Sequence, residues 1–439
     1  MTPVMLGRPG VRHAAPVKRQ PRIFYGWWIV ASFLVTLFFG AGIGATHSVF
    51  FKPISGEFGW SRTALSTILA VNALIGGLAA PFWGRMIDQW GGRAILPVGA
   101  SLVGCSLLLL GGLDSMWQAY VLYSLLAIGG GGMSLIPMSS VISHWFTARR
   151  GFAMGITLIG ASLGTMILAP TAGVIAESLG WRTGYRIYGL ALLVIAVPVL
   201  LVAVRHRPQD MGLLPDGRSP EPEGEGTLLA GDAAAPDAKS PGVSLREALR
   251  TRTFWLIALG FSMPMFAIRA LFIHLVPILT DQGISAKMAA TAYGLIAGLS
   301  LIGRVGFGYA ADRFSKRRMY ALCYSVQSVG LICLIGLDSY GTVALVAFIV
   351  IFGTSYGGGL SLAPLLITEC FGIASMGAIF GALGIAAMVG GAIGPVFAGW
   401  TYDTLGSYQL AFFVFVGALL IAVAAISACR PVIEAPSSS

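Results

Sequence analysis

The chain has 439 residues, of which 56% are hydrophobic and only 10% charged, and its mean hydropathy is +0.81. Soluble domains carry about 25% charged residues, so the composition is that of a polytopic membrane protein. The net charge of +10 does not point to nucleic acid, because no basic stripe is interleaved with aromatics and the arginines cluster beside hydrophobic segments, where they report topology. Five cysteines lie in or at the edge of apolar runs with no CxxC spacing. They read as small apolar fillers rather than as a metal or disulfide framework.

A bilayer crossing needs about 20 mostly apolar residues. The first 24 residues are basic and rich in Pro, Arg and Ala. The apolar run from Tyr25 is too long for a signal-peptide core and lacks a small-x-small cleavage site, so it reads as an uncleaved first span. Twelve runs qualify: 26–50, 62–84, 94–112, 117–142, 151–175, 185–204, 253–279, 288–309, 319–338, 342–368, 376–399 and 408–429. Between the sixth and seventh lies a polar stretch, 205–250, rich in Pro, Gly, Glu and Ala, which reads as a linker. Its end, Ser244 to Arg250, has the pattern of a short amphipathic helix at the membrane surface. The expected organisation is a tail (1–24), a six-helix bundle (25–204), the linker (205–250), a second six-helix bundle (251–429) and a tail (430–439). Arg85, Arg93, Arg149, Arg150, Arg313, Lys316, Arg317 and Arg318 fill one set of short loops, and only Lys52, Arg62, Arg182, Arg186 and Lys287 the other. With the basic tail residues Arg8, Arg12, Lys18, Arg19 and Arg22, this places both termini in the cytoplasm.

The two halves repeat. Gly59-Trp-Ser61 matches Gly283-Ile-Ser285 at an offset of 224, and Gly84-Arg-Met-Ile-Asp88 matches Gly308-Tyr-Ala-Ala-Asp312 at the same offset. Gly130 to Pro137 matches Gly357 to Pro364 at 227, and Phe146 to Pro170 matches Phe371 to Pro395 at 225. The repeats run in parallel, since each half has an even number of spans. In two-half transporters of this kind the substrate site lies near the middle of the membrane, between the halves.

Two cations lie inside the spans. Arg269 falls in the seventh run and Arg304 in the eighth, while all eighteen acidic residues fall in loops, in tails or at span ends. A charge at that depth is costly and marks a functional site by default. Cations without a carboxylate predict an anion as ligand. Arg304 lies eight residues before Asp312, hence ~12 Å into the bilayer. Its guanidinium stays charged and can hold a carboxylate through two parallel hydrogen bonds. Arg269 lies sixteen residues into its run, ~24 Å from the inner end. It reads either as a second anion contact or as a residue that snorkels outward or bonds carbonyls near Pro264.

The remaining polar residues of the spans are few. Ser300 shares a helix face with Arg304. Tyr356, Ser134 and Asn72 could line a cavity or equally bond a neighbouring helix. With no carboxylate in the spans, His274 and His47 are the candidate proton carriers, against the plainer reading of hydrogen-bonded helix residues. The glycine runs 129–132 and 357–359 are not phosphate loops, because neither follows a soluble strand nor precedes Gly-Lys-Ser/Thr. They read as small residues that let helices approach, with Pro137 and Pro364 ending or bending those helices.

Gly84-Arg-Met-Ile-Asp-Gln-Trp-Gly-Gly-Arg93 resembles the signature loop of the major facilitator superfamily, and Gly308 to Arg318 is its copy. Gly84 is expected to permit close helix packing, and Asp88 to cap or pair with Arg93 or a helix end. Gly84, Asp88, Arg93, Gly308, Asp312 and Arg313 are thereby assigned to gating and structure. Tyr25-Gly-Trp-Trp-Ile-Val30, Phe50 to Phe58, His144 to Gly164 and Arg207 to Gly217 together resemble the monocarboxylate transporter family and its bacterial relatives, which include the oxalate–formate antiporters. The resemblance implies a major facilitator fold in a bacterial cell membrane, and an arginine of the eighth span, here Arg304, that binds the substrate carboxylate. It also implies an aspartate four residues earlier, where this chain has Ser300. It further implies a first-span lysine, where this chain has Ala45, the repeat counterpart of Arg269. The antiporters' eleventh-span lysine has no counterpart in 376–399.

The resulting expectation is an all-α, twelve-span secondary transporter, monomeric in the bilayer, that moves a small organic anion such as lactate or pyruvate, with protons as the candidate co-substrate. No catalytic residue, metal or cofactor is expected. The alternative is a dicarboxylate or oxalate-type exchanger using Arg304 and Arg269 together. A membrane sensor or an efflux pump is more remote, and an intramembrane enzyme would need a nucleophile, a metal motif or paired carboxylates that the spans lack.

Overall fold

The computed structural model describes residues 24–432 other than 206, 212, 218–241 and 373, and the side chains in that range other than those of 80, 88, 210 and 360. The basic tail residues, most of the linker and nearly all of the C-terminal tail fall outside it. Twelve helices are long and apolar enough to cross a membrane: Gly26–Phe58, Arg62–Ile87, Gly92–Leu110, Met116–Trp145, Arg150–Ser178, Trp181–Ala203, Arg252–Asp281, Ala286–Arg313, Lys316–Ile335, Leu337–Phe371, Met376–Leu405 and Gln409–Ser427. They are spans 1 to 12 below. Several run beyond their apolar runs, span 1 by eight residues past 50. A helix continues into polar sequence for as long as its backbone bonds are made, and only the solvent around it changes.

The Gly-x-Ser repeat now has a physical meaning. Gly59 and Gly283 take the left-handed conformation, φ 64° and 78°, which a residue without Cβ reaches at no steric cost. Two residues on, Ser61 and Ser285 accept the backbone N–H of Ala64 and Met288 at 3.1 and 3.2 Å, capping spans 2 and 8. The prolines act unequally. Span 4 breaks at Met133 and Ser134, just before Pro137, so that Pro137 falls in the first turn of the second piece, where a missing N–H costs least. Pro364 stays inside a helix that runs on to Phe371, so it does not end span 10. Pro198 follows a wide-turn segment, Leu192–Ala196, in span 6, a usual accommodation of a lost donor.

Within each half the spans pack through close backbone approach. A methyl group at Gly164 would collide with the Phe38 carbonyl, joining spans 5 and 1, and one at Gly394 with the Phe266 carbonyl, joining spans 11 and 7. The glycine runs do the same for spans 4 and 10, as expected: Gly132 lies against Gly99, and Gly357 against the Ser300 carbonyl. The linker stretch expected to form a surface-lying amphipathic helix forms a single turn, Leu245–Ala248, capped reciprocally by Ser244 and Glu247. Ala248 is fully buried, so one side of the turn packs on the protein.

An even number of crossings leaves both ends of the bundle at one face, called the terminal face below. Hydrogen bonds and ion pairs between the halves gather at the opposite face. Asp403, in span 11, accepts the backbone N–H of Arg62 and Thr63 at the start of span 2, at 3.1 and 2.8 Å. Glu177, in span 5, accepts the N–H of Lys287 at the start of span 8, at 3.0 Å. The two acids are repeat partners, 226 positions apart. Each puts a negative charge on the unpaired donors and positive dipole end of a helix in the other half. Beside them Asp281 binds Arg62 through two bonds, at 2.6 and 3.1 Å, and Lys52 at 2.7 Å. The Arg62 guanidinium lies 3.4 Å from the Tyr402 ring centre. The protein is therefore latched shut at this face.

Candidate functional site

The signature-loop residues lie toward the terminal face. A Cβ on Gly84 or Gly308 would meet nothing within 4 Å, so the close packing expected at Gly84 is absent. Arg93, Asp312 and Arg313 are exposed, with the Arg313 guanidinium 4.5 Å from the Tyr309 ring centre; the Asp88 side chain lies outside the described set. Glu369, at the end of span 10, pairs with Arg317 at 3.1 Å and accepts the Lys316 N–H at 3.0 Å, tying the start of span 9.

Mid-bundle lie the two intramembrane arginines, Arg269 of span 7 and Arg304 of span 8. Arg269 is exposed although it lies deep within span 7, and its stem packs against Gly391 of span 11. Its guanidinium makes no hydrogen bond or ion pair among the described residues, and the snorkelling bond to a carbonyl near Pro264 is not formed. Arg304 is half-buried, and its Nε is fully buried without a hydrogen-bond partner. A buried donor of this kind costs ~1–3 kcal/mol if nothing fills it. Tyr356 lies within the electrostatic reach of both guanidinium groups. Tyr293 and His47 lie within that of Arg269. Phe272 packs against both tyrosines, edge-on to Tyr356 with ring centres 4.8 Å apart and tilted to Tyr293 at 5.0 Å. The rings of Phe272, Tyr293 and Tyr356 thus form an aromatic cluster within the electrostatic reach of the cations.

The other predicted residues take several positions. Ser300 is buried, and its hydroxyl donates to the Ala297 carbonyl one turn back at 2.6 Å, so it turns away from Arg304. Asn72 donates to the Tyr123 carbonyl at 2.6 Å and ties span 2 to span 4. Ser134 sits in the break of span 4, its hydroxyl buried without a partner. The two histidines separate. His47 joins the Arg269 side, against Tyr123 and 3.4 Å from the Tyr185 hydroxyl. His274 belongs to the latch. The Tyr408 hydroxyl accepts from Arg62 at 2.7 Å and donates to His274 Nδ1 at 2.9 Å. Nε2 then donates to the Pro395 carbonyl at 3.0 Å, with the Ser66 hydroxyl also at 3.0 Å. This neutral tautomer is assigned from the network.

Sequence reasoning missed the latch. Lys52 and Arg62 read as topology signals, and Asp281 and Asp403 only as acids outside the spans or at their ends. The available signal was that basic ends of the first half and acidic ends of the second fall on the same face. Tyr293, an ordinary span residue in sequence, was also missed.

The twelve-span fold and the internal repeat are those of a secondary transporter of the major facilitator type. A sequence profile of the Major Facilitator Superfamily matches residues 24–395 and, in a second match, 305–439. The chain belongs to that superfamily, and within it is similar to monocarboxylate transporters. It is 27% identical over 406 residues to monocarboxylate transporter 12 of Rattus norvegicus, covering 88% of this chain and 82% of that one. It is 26% identical over 399 residues to monocarboxylate transporter 11 of Homo sapiens, covering 88% and 79%. Among solved structures, a bacterial homologue of the human lysosomal transporter Spinster, inward-facing and occupied, superposes with a TM-score of 0.71 at 15% identity, covering 93% and 96%. The D-xylose–proton symporter superposes with a TM-score of 0.68 at 16% identity, covering 93% and 98%. Major facilitator proteins of this kind carry small molecules across membranes and are not enzymes.

Proposed function

We propose that the protein carries a small organic monocarboxylate, of the size of lactate or pyruvate, by alternating access, with Arg304 as the carboxylate anchor and Arg269 as a second positive charge on the same path. One observation carries this reading: the buried Nε of Arg304 lacks a partner while Arg269 stands unpaired beside the same tyrosine. A carboxylate would supply the missing acceptor and neutralise charge that the low-dielectric interior otherwise disfavours. The similarity to monocarboxylate transporters supports the substrate class. Placing the terminal face in the cytoplasm follows from the basic loops.

The electrostatic reach of both arginines to Tyr356 also favours a second reading, a dicarboxylate exchanger with one carboxylate on each cation. Uptake of labelled lactate, pyruvate and oxalate into proteoliposomes, with and without an imposed pH gradient, separates the two. Arg304→Ala is expected to weaken apparent affinity about 10- to 100-fold, the factor for losing a hydrogen-bonded charge of ~1.5–3 kcal/mol. Wild-type transport by Arg304→Ala or Arg304→Lys refutes the anchor. Uptake of oxalate but not of lactate selects the second reading, and indifference to the pH gradient removes proton coupling.

A further inference from the structure

We infer that the substrate carries an aromatic ring, held in an apolar chamber of the second half one helical turn from the cation pair. This rests on the reading that Arg304 and Arg269 bind a carboxylate. The chamber has a volume of about 170 Å³ and lies between spans 7, 9, 10 and 11. Met265, Tyr324, Tyr356, Phe380, Gly384 and Ala387 are among the residues that line it. An apolar cavity of about 150 Å³ stays dry and accepts benzene, so this volume suits one ring.

Three observations connect the chamber to the cations. Tyr356 both lines it and lies within reach of the two guanidinium groups. Met265 stands one turn before Arg269, and both side chains border Gly391 of span 11. Ala387, in the chamber wall, stands one turn before Gly391 in the same helix. Chamber and cation are thus offset by one turn, ~5.4 Å, which is about the reach from a ring to a carboxylate across a one- or two-carbon spacer. The wall is rich in aromatic side chains. Tyr320 spends its hydroxyl on the Gly260 carbonyl at 3.2 Å and stacks on Phe261 at 5.7 Å. Tyr356 stacks on Phe352 at 6.4 Å. Such walls favour an aromatic guest through offset and edge contacts. The ligand class is therefore an aryl-acetate or aryl-pyruvate, the carboxylate on Arg304 and Arg269 and the ring among the tyrosines.

Two variants alter the chamber in opposite senses. Gly384 lines the chamber and a Cβ there meets nothing within 4 Å, so Gly384→Leu is expected to narrow it. Phe380→Ala widens it. Binding of pyruvate, phenylpyruvate, indolepyruvate, phenylacetate, phenylacetamide and decanoate is measured by calorimetry on the purified protein in nanodiscs, with thermal unfolding as the check of folding. Phenylpyruvate is expected to bind about 10- to 100-fold more tightly than pyruvate, the gain from burying one ring. Phenylacetamide is expected not to bind, Gly384→Leu to lower the phenylpyruvate-to-pyruvate ratio toward one, and Phe380→Ala to shift preference toward indolepyruvate.

A ratio of one in the wild type, or an unchanged ratio in folded Gly384→Leu, overturns the chamber assignment. The carboxylate reading then stands if pyruvate binding still depends on Arg304. Equal binding of phenylacetamide and phenylacetate makes the chamber a site for neutral apolar molecules and overturns the inference. Decanoate binding with phenylpyruvate no better than pyruvate makes it an acyl-chain site, with the same consequence. Phenylpyruvate and pyruvate binding that both ignore Arg304→Ala refutes the carboxylate reading itself.

Discussion

Removing the carboxylate at the centre of the latch should open the closed face. Asp281 accepts two bonds from Arg62 at 2.6 and 3.1 Å and one from Lys52 at 2.7 Å. The Arg62 side chain is 10% exposed and that of Lys52 42%. The Lys52 pair therefore contributes near the surface value of ~0–1 kcal/mol. The Arg62 pair belongs with charge-assisted bonds worth ~1.5–3 kcal/mol. Asp281→Asn keeps one acceptor, and Arg62 keeps its place over Tyr402, so the two contributions do not simply add. A net loss of ~2–3 kcal/mol from the closed state shifts the closed-to-open ratio roughly 30- to 150-fold, at a factor of ten per 1.4 kcal/mol. Spin labels at Ser178 and Ser339, both exposed at the ends of spans in opposite halves, would report this as a second, longer distance in pulsed electron resonance, with the native cysteines replaced. Asp114→Asn is the control. Its pair with Arg182 is 3.7 Å apart and Asp114 is 77% exposed, so the distribution should not move. An unchanged distribution in Asp281→Asn, or an equal change in both variants, refutes the assignment of Asp281 as the latch.

Two further outcomes test packing and the linker. Gly394→Ala places a methyl group into the Phe266 carbonyl and should cost ~1–3 kcal/mol by overpacking. It should lower the unfolding temperature in detergent, whereas Gly417→Ala, whose Cβ meets nothing within 4 Å, should leave it unchanged or raise it. Asp216, at the start of the linker, accepts from the Thr147 hydroxyl and from the N–H groups of Thr147 and Ala148 at 3.1 and 2.8 Å. Burial pushes its carboxyl up, but these bonds and that of Arg149 outweigh it and hold the group below the ordinary aspartate value. The linker contact is therefore fully present above that ordinary value, about 3.9, and is lost as pH falls through the lower value of the folded state. Hydrogen exchange at the Thr147 and Ala148 amides should stay slow down to about pH 4 in the wild type and be fast at neutral pH in Asp216→Ala; equal rates at neutral pH would refute the contact.

The number of spans and the repeat were decided by local sequence. Span length follows from bilayer thickness. Gly59, Ser61, Gly283 and Ser285 were legible as a repeat for a related reason: a left-handed glycine followed by a capping serine acts within a few residues of chain. What only the tertiary structure decided was partnership across the halves. Nothing local tells that Asp281 meets Arg62 and Lys52, 219 and 229 positions away, or that Glu177 and Asp403 each cap a helix of the opposite half. His274 and His47 are the same side chain in similar apolar contexts, yet packing puts one in the latch and the other beside Arg269. Ser300 shares a helix with Arg304, but close approach of span 10 at Gly357 buries it, and its hydroxyl turns back to its own helix. The aromatic chamber is legible only in three dimensions, because its walls come from four spans whose residues read, one at a time, as ordinary membrane helix.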